Sequence, residues 1–277
     1  MTLGMAWVRT TGRTRELIVA SDSRLSGGQA WDAAPKIMLL PRTDCVISFA
    51  GDTNDAYPLM LQACNAILMH QPAINRALDI SDLKGHLIRV MNHVRAYISN
   101  LPRGEEIAPP PEAIFMLAGY SWRMKEFRIW QFHYDHHINE FTFKPINFWR
   151  ARTGNSPKKI GFVGDKDAIK RARSLLISML RERRKLDQGG LNMEPLEVLR
   201  DIIRSEEFPS VGGPLQVVKL YEHMNAVPFA VYWPSRSNGE VTLLGRALMP
   251  YETASFGVID PDRPTVTPVR LERPRID

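Results

Sequence analysis

The order in which extended and helical segments alternate constrains this chain more than any single residue. Apolar-rich residues 3–8 and 17–21 flank Thr10-Thr11-Gly12-Arg13, which reads as a β-hairpin at the start of the chain. Residues 38–40 and 46–49 form a second strand-like pair. A helix is predicted from about Asp55, an N-cap candidate that puts Pro58 in the first turn, to about His70. Another follows Ser81, where Leu83, Leu87, Met91, Val94 and Ile98 recur at helical steps. The Pro-rich segment 102–111 reads as an exposed loop or small insertion. Strands resume at 113–117, 126–132, 140–143 and 159–163, followed by a basic helix and a shorter one from Pro195. Gly212-Gly213 then opens strand-like residues 215–220, 229–233 and 241–244.

Three strand blocks separated by helix pairs suit two stacked antiparallel sheets with helices over both outer faces, an α+β four-layer αββα sandwich. Order alone does not single this out. One domain is expected over residues 1–256, with the Pro-rich residues 257–277 as an extension that wraps a neighbour or dangles. At 44% hydrophobic and 24% charged residues, wholesale disorder and fibrous repeats are excluded. Apolar stretches such as 113–120 fall far short of the roughly 20 residues of a membrane helix, so no membrane partner is expected. No secretory pattern opens the chain and two cysteines cannot staple it, which favours a cytoplasmic location.

The net charge of +6 invites a nucleic-acid or acidic-protein partner. It is concentrated in Lys158, Lys159, Lys166, Lys170, Arg171, Arg173, Arg181, Arg183, Arg184 and Lys185, opposed only by Asp165, Asp167 and Glu182. Ile169, Ala172, Leu176, Met179 and Leu180 recur among them at helical spacing. The bases then line the outer face of an amphipathic helix, either simply solvated or a phosphate-binding surface.

Particular residues narrow the choice. Met1-Thr2-Leu3-Gly4 leads into the first strand, and Val19-Ala20-Ser21-Asp22-Ser23-Arg24 ends the next, with Gly27-Gly28 beyond. Ala34-Pro35-Lys36-Ile37, Phe49-Ala50-Gly51-Asp52-Thr53-Asn54-Asp55-Ala56 and Val211-Gly212-Gly213-Pro214-Leu215-Gln216-Val217 follow in that order. Together these segments resemble the proteasome-type N-terminal-nucleophile (Ntn) hydrolases, which include proteasome β subunits, bacterial HslV and Anbu proteins. The Ser-Asp-Ser-Arg run resembles Anbu in particular, the Lys36 segment the family's lysine strand, and the Gly51 segment an HslV turn. The resemblance covers about residues 2–233.

The chemistry it implies is self-contained. A threonine hydroxyl is a poor nucleophile, but an N-terminal one carries its own base, because the free α-amine titrates at about 8. Thr2 is small enough for aminopeptidases to remove Met1 before it, so no propeptide is needed. A nearby lysine keeps the amine's proton affinity low and stabilises the developing alkoxide, and a carboxylate holds that lysine charged and aimed. Lys36 and Asp22 are the candidates. If the hairpin turn centres on Gly12, Asp22 pairs with Thr2. Gly51 would offer its backbone N–H to the oxyanion, as the matching glycine does in the family.

The resemblance therefore implies amide-bond hydrolysis of peptides or unfolded proteins through an acyl-enzyme on Thr2. The subunit would work in a homo-oligomeric ring or stack, with an ATP-dependent unfoldase or acidic protein as possible partner. The departures from the pattern are specific. Thr2 and Asp22 lie further apart than is usual, which a longer hairpin absorbs. Asp165, Phe208 and Val211 or Ser210 stand where the family has supporting serine and aspartate residues. An alignment that shifts Thr2 inward instead leaves Met1 beside the nucleophile position and gives an inactive scaffold of the same fold. A basic nucleic-acid-binding module is the third alternative.

Other signals were weighed. His133, Asp135, His136 and His137 crowd one segment but read better as a polar hairpin turn than as a metal site. Cys45 and Cys64 fall where small buried hydrophobes are common. Neither a phosphate-cradling Gly-x-x-x-x-Gly-Lys run nor a Gly-x-Ser-x-Gly elbow occurs, and no cofactor or metal is expected.

Overall fold

The computed structural model describes residues 2–12, 14–99, 109–146, 148–149, 158–187 and 190–265. The chain opens with β1 (Leu3–Thr11) and β2 (Thr14–Ser21), then a separate two-stranded hairpin, β3 (Leu25–Gly27) and β4 (Gln29–Trp31). β5 (Ile37–Leu39) and β6 (Cys45–Gly51) lead into α1 (Thr53–Leu68), α2 (Gln71–Ile74) and α3 (Ile80–Arg95). β7 (Ala113–Ser121), β8 (Glu126–Asp135), β9 (Glu140–Pro145), β10 (Phe148–Trp149) and β11 (Lys158–Gly164) precede α4 (Lys166–Glu182) and α5 (Glu194–Ser205). β12 (Gln216–Tyr221), β13 (Asn225–Trp233), β14 (Glu240–Leu243), β15 (Arg246–Ala247) and β16 (Val258–Ile259) complete it.

The strands form a mixed α/β architecture with two principal sheets. One runs β10-β11-β1-β2-β12-β13-β14-β15, antiparallel throughout apart from β16, which pairs parallel to β13. The other is the antiparallel meander β5-β6-β7-β8-β9. Because side chains alternate across a strand, β1 supplies two apolar clusters. Leu3, Met5 and Trp7 pack with Leu176 and Leu180 of α4 and Leu196 and Leu199 of α5. Ala6 packs with Val19, Val46, Met116 and Val218, drawn from both sheets. A third cluster joins Phe115 and Phe132 to Leu59 and Met60 of α1 and Leu83 and Leu87 of α3. A central strand buried on both faces reads as a near-continuous apolar run, as β1 does.

Three local expectations are corrected. Thr11 pairs with Thr14 and Gly4 with Ser21, one residue out of the register that would oppose Thr2 to Asp22. The tight turn, with Gly12 at φ 59°, falls between paired threonines instead of centring on one residue, so Leu3 meets Asp22. Helix α1 is capped by Asp52, whose side chain accepts from Asn54 N, while Asp55 accepts from Glu112 N at 3.1 Å; Pro58 therefore lies inside the helix. Helix α3 starts before Ser81, because Asp79 is the N-cap and accepts from Ser81 N.

The basic segment is compensated only in part. Lys158 and Lys159 are buried and donate to the carbonyls of Leu186 and Phe127. Arg183 and Lys185 pair with Glu197 and Glu194 of α5, and Arg171 with Glu207. Among the described residues no helix is long and apolar enough to cross a membrane.

Candidate active site

Asp22 lies one residue past the end of β2, and its carboxylate is wholly buried. Its Oδ1 accepts from Leu3 N at 3.0 Å, and its Oδ2 accepts from Arg24 N at 3.2 Å and Gly212 N at 3.1 Å. Lys36, immediately before β5, places Nζ 3.0 Å from both oxygens, and its side chain too is shut off from solvent. Burial pushes the Lys36 amine below the usual lysine range, and the Asp22 charge opposes that fall. Three backbone N–H groups meet the remaining hydrogen-bonding capacity of the Asp22 carboxylate, which offsets part of the cost of burying an ion pair this dry.

Thr2 and Gly51 line one cleft of about 390 Å³, together with Leu25, Ser26, Gly27, Asp52, Thr53, Asn54 and Glu112. The Thr2 hydroxyl makes no hydrogen bond among the described residues. Two glycines set the backbone on either side. Gly164 has φ 133°, and a Cβ there would fall 1.8 Å from the Thr2 carbonyl oxygen, which accepts from Asp165 N at 2.8 Å. Gly51 has φ 117°, and a Cβ there would fall 1.9 Å from the Glu112 carbonyl oxygen, which accepts from Asp52 N at 2.7 Å. Both conformations belong to glycine.

The four site residues expected from the sequence thus come together in two linked pairs. Thr2 and Gly51 share the cleft; Asp22 and Lys36 form the ion pair, tied to the nucleophile candidate through the peptide N–H that follows it.

Sequence reasoning missed several supporting groups. Gln216 is fully buried: its Oε1 accepts from Lys36 N and Ile37 N, and its Nε2 donates to Ala34 O, Ser23 Oγ and Asp22 O. Ser23 Oγ donates to Pro214 O. Arg24 grips Asp32 with Nε and Nη2 at 2.6 and 2.8 Å, holding the base of the β3–β4 hairpin. That hydrogen-bonded contact raises the arginine and lowers the Asp32 carboxyl from their usual values. A lone glutamine in the apolar run from Leu215 to Val218 was the available signal.

The departures from the family pattern have local roles. Asp165 caps α4, accepting from Asp167 N and Ala168 N, and Val211 and Phe208 pack in the apolar cluster under the nine-stranded sheet. Among the described residues no group of three or more His, Cys, Asp or Glu is placed to hold a metal. Cys45 and Cys64 are free thiols, and burial raises both above their usual value.

Two principal, largely antiparallel sheets with helices packed against them have a counterpart among solved structures. No protein-family model matches the sequence, and no curated protein does either. Among the solved structures that this chain resembles is the Anbu (Gly-1) mutant from Hyphomicrobium sp. strain MC1, with a TM-score of 0.52 at 14% identity. The match covers 82% of this chain and 85% of that one. At that identity it is a likeness of fold.

Proposed function

We propose that this chain is a threonine peptidase subunit whose nucleophile is Thr2, exposed by removal of Met1. The observation that carries this reading is the buried Lys36–Asp22 pair, bonded to the Leu3 N–H next to a cleft that Thr2 and Gly51 line. In the proposed reaction the Thr2 α-amine takes the proton of its own hydroxyl as Oγ bonds to the scissile carbonyl carbon. The Lys36 ammonium keeps that amine neutral at working pH, and the Gly51 N–H meets the oxyanion. The C–N bond breaks, the departing amine carries off the proton, and water then hydrolyses the ester on Thr2. The substrates would be peptides or unfolded proteins.

The wider features stay at the same level of proposal. They comprise a four-layer αββα sandwich over residues 1–256, supported by the three apolar clusters, with β16 of the 257–277 segment lying against β13. They also comprise a cytoplasmic homo-oligomeric ring or stack, served by an ATP-dependent unfoldase or acidic protein. A second reading, an inactive scaffold of the same fold, is favoured by one observation: Asp165, Phe208 and Val211 have structural roles where the family has supporting polar groups.

The deciding experiment treats the purified protein with a peptide epoxyketone, a probe that closes a ring on a hydroxyl and its neighbouring free amine. The expected result is an intact mass lacking one methionine and a stoichiometric adduct that Thr2→Ala does not form. A folded protein that retains Met1, or one that forms no adduct, would support the scaffold reading instead, and an adduct that persists in Thr2→Ala would show that Thr2 is not the nucleophile.

A further inference from the structure

Asp22 and Lys36 both lie just outside their strands, where the β ladders give way to single backbone bonds. Backbone bonds hold them in part, Ala34 N donating to Ser23 O at 3.1 Å between the two segments and Phe49 N to Lys36 O at 3.2 Å, but neither of these fixes the Lys36 N–H side of the segment that sets Nζ 3.0 Å from each carboxylate oxygen. The Gln216 amide spans that gap. On one side its oxygen faces Lys36 N at 3.0 Å and Ile37 N at 3.3 Å. On the other its nitrogen faces Ala34 O at 2.7 Å, Ser23 Oγ at 2.9 Å and Asp22 O at 3.2 Å. Donors surround one end and acceptors the other, so only one orientation of the amide satisfies them. Burying an amide among Leu215, Val217 and Val218 is costly unless such partners offset it.

We infer that Gln216 is a positioning residue for the Lys36–Asp22 pair: it fixes the 34–37 segment against the 22–23 corner and so aims the ammonium. The inference rests on the peptidase reading only for what the aimed ammonium does. Gln216 lies outside the cleft lining and acts through Lys36.

The test uses full-length Gln216→Leu and Gln216→Glu, both checked for folding by thermal melting, with two readouts. The first is the rate and saturation of epoxyketone labelling between about pH 6 and about pH 8. Gln216→Leu is expected to label about 100-fold more slowly with little change in the half-saturating concentration. Gln216→Glu should be as slow at the upper end and recover relative to the unmodified protein as pH falls. The carboxyl oxygen that faces Ala34 O, Ser23 Oγ and Asp22 O regains an O–H donor once protonated. Unchanged labelling in both folded variants, or loss without recovery at low pH, would overturn the assignment.

The second readout is water exchange of the Lys36 ammonium, followed by nitrogen NMR and assigned with Lys36→Arg. In a folded Gln216 variant it should quicken about tenfold or more, because the ammonium is no longer held on Asp22. Unchanged exchange would refute the positioning role. If the unmodified protein does not label at all, the peptidase reading falls, and ammonium exchange alone decides the role of Gln216. If Gln216→Leu does not fold, Gln216→Glu carries both readouts.

Discussion

Lys36→Met should leave Thr2 unreactive toward the epoxyketone and cost about 3–5 kcal/mol of stability, the usual loss when one member of a buried ion pair is removed. Asp22 would keep the N–H groups of Leu3, Arg24 and Gly212, but its charge would have no counter-ion in a site closed to solvent. Converting the carboxylate to an amide removes that charge, so Lys36→Met combined with Asp22→Asn should regain much of the stability and none of the labelling. Urea unfolding measures the first and intact mass the second. If Lys36→Met is as stable as the unmodified protein, the pair contributes nothing to the fold.

The pH dependence has a definite sign. Folding lowers the Lys36 amine below its ordinary 10.5, so between the lowered value and 10.5 the unfolded chain binds more protons than the folded one. Stability from this group therefore rises with pH across that window. The gap between the unmodified protein and Lys36→Met should widen as pH climbs toward 10.5.

Gly164→Ala is expected to cost about 3 kcal/mol or more and to reduce labelling at least about 100-fold. A methyl group would sit 1.8 Å from the Thr2 carbonyl oxygen at a φ of 133°, so either Thr2 leaves its place or β11 separates from β1. Gly12→Ala is the control: that residue also has a positive φ, but a Cβ there meets nothing within 4 Å, and the cost should stay at about 1 kcal/mol. Equal effects from the two substitutions would mean that backbone strain, and not the approach to Thr2, governs the position.

Features written in local patterns were legible in the sequence. The apolar repeat Leu83, Leu87, Met91 marked α3, apolar-rich runs marked β1 and β2, and the Ser-Asp-Ser-Arg and Ala-Pro-Lys-Ile segments pointed to Asp22 and Lys36. What failed depended on distant partners. Asp52 and Asp55 are both plausible caps by composition, and the choice is settled by Glu112 N, which engages the second of them. Lys158 and Lys159 counted toward a solvated charge, yet their ammonium groups turn inward to carbonyls of Leu186 and Phe127. Gln216 gathers partners from two segments almost two hundred positions earlier, which no window of neighbouring residues contains. The hairpin register failed for a different reason: moving a turn by half a residue leaves composition unchanged while exchanging every cross-strand partner.

The pairing of Leu3 with Gly164 also bears on how the molecule is made. Synthesised well over a hundred residues ahead of β11, β1 must wait before its second neighbour exists, and until then one flank offers unpaired amides to any passing strand. Such delayed closure slows folding, because the entropy of closing the long intervening loop is lost before the pairing forms.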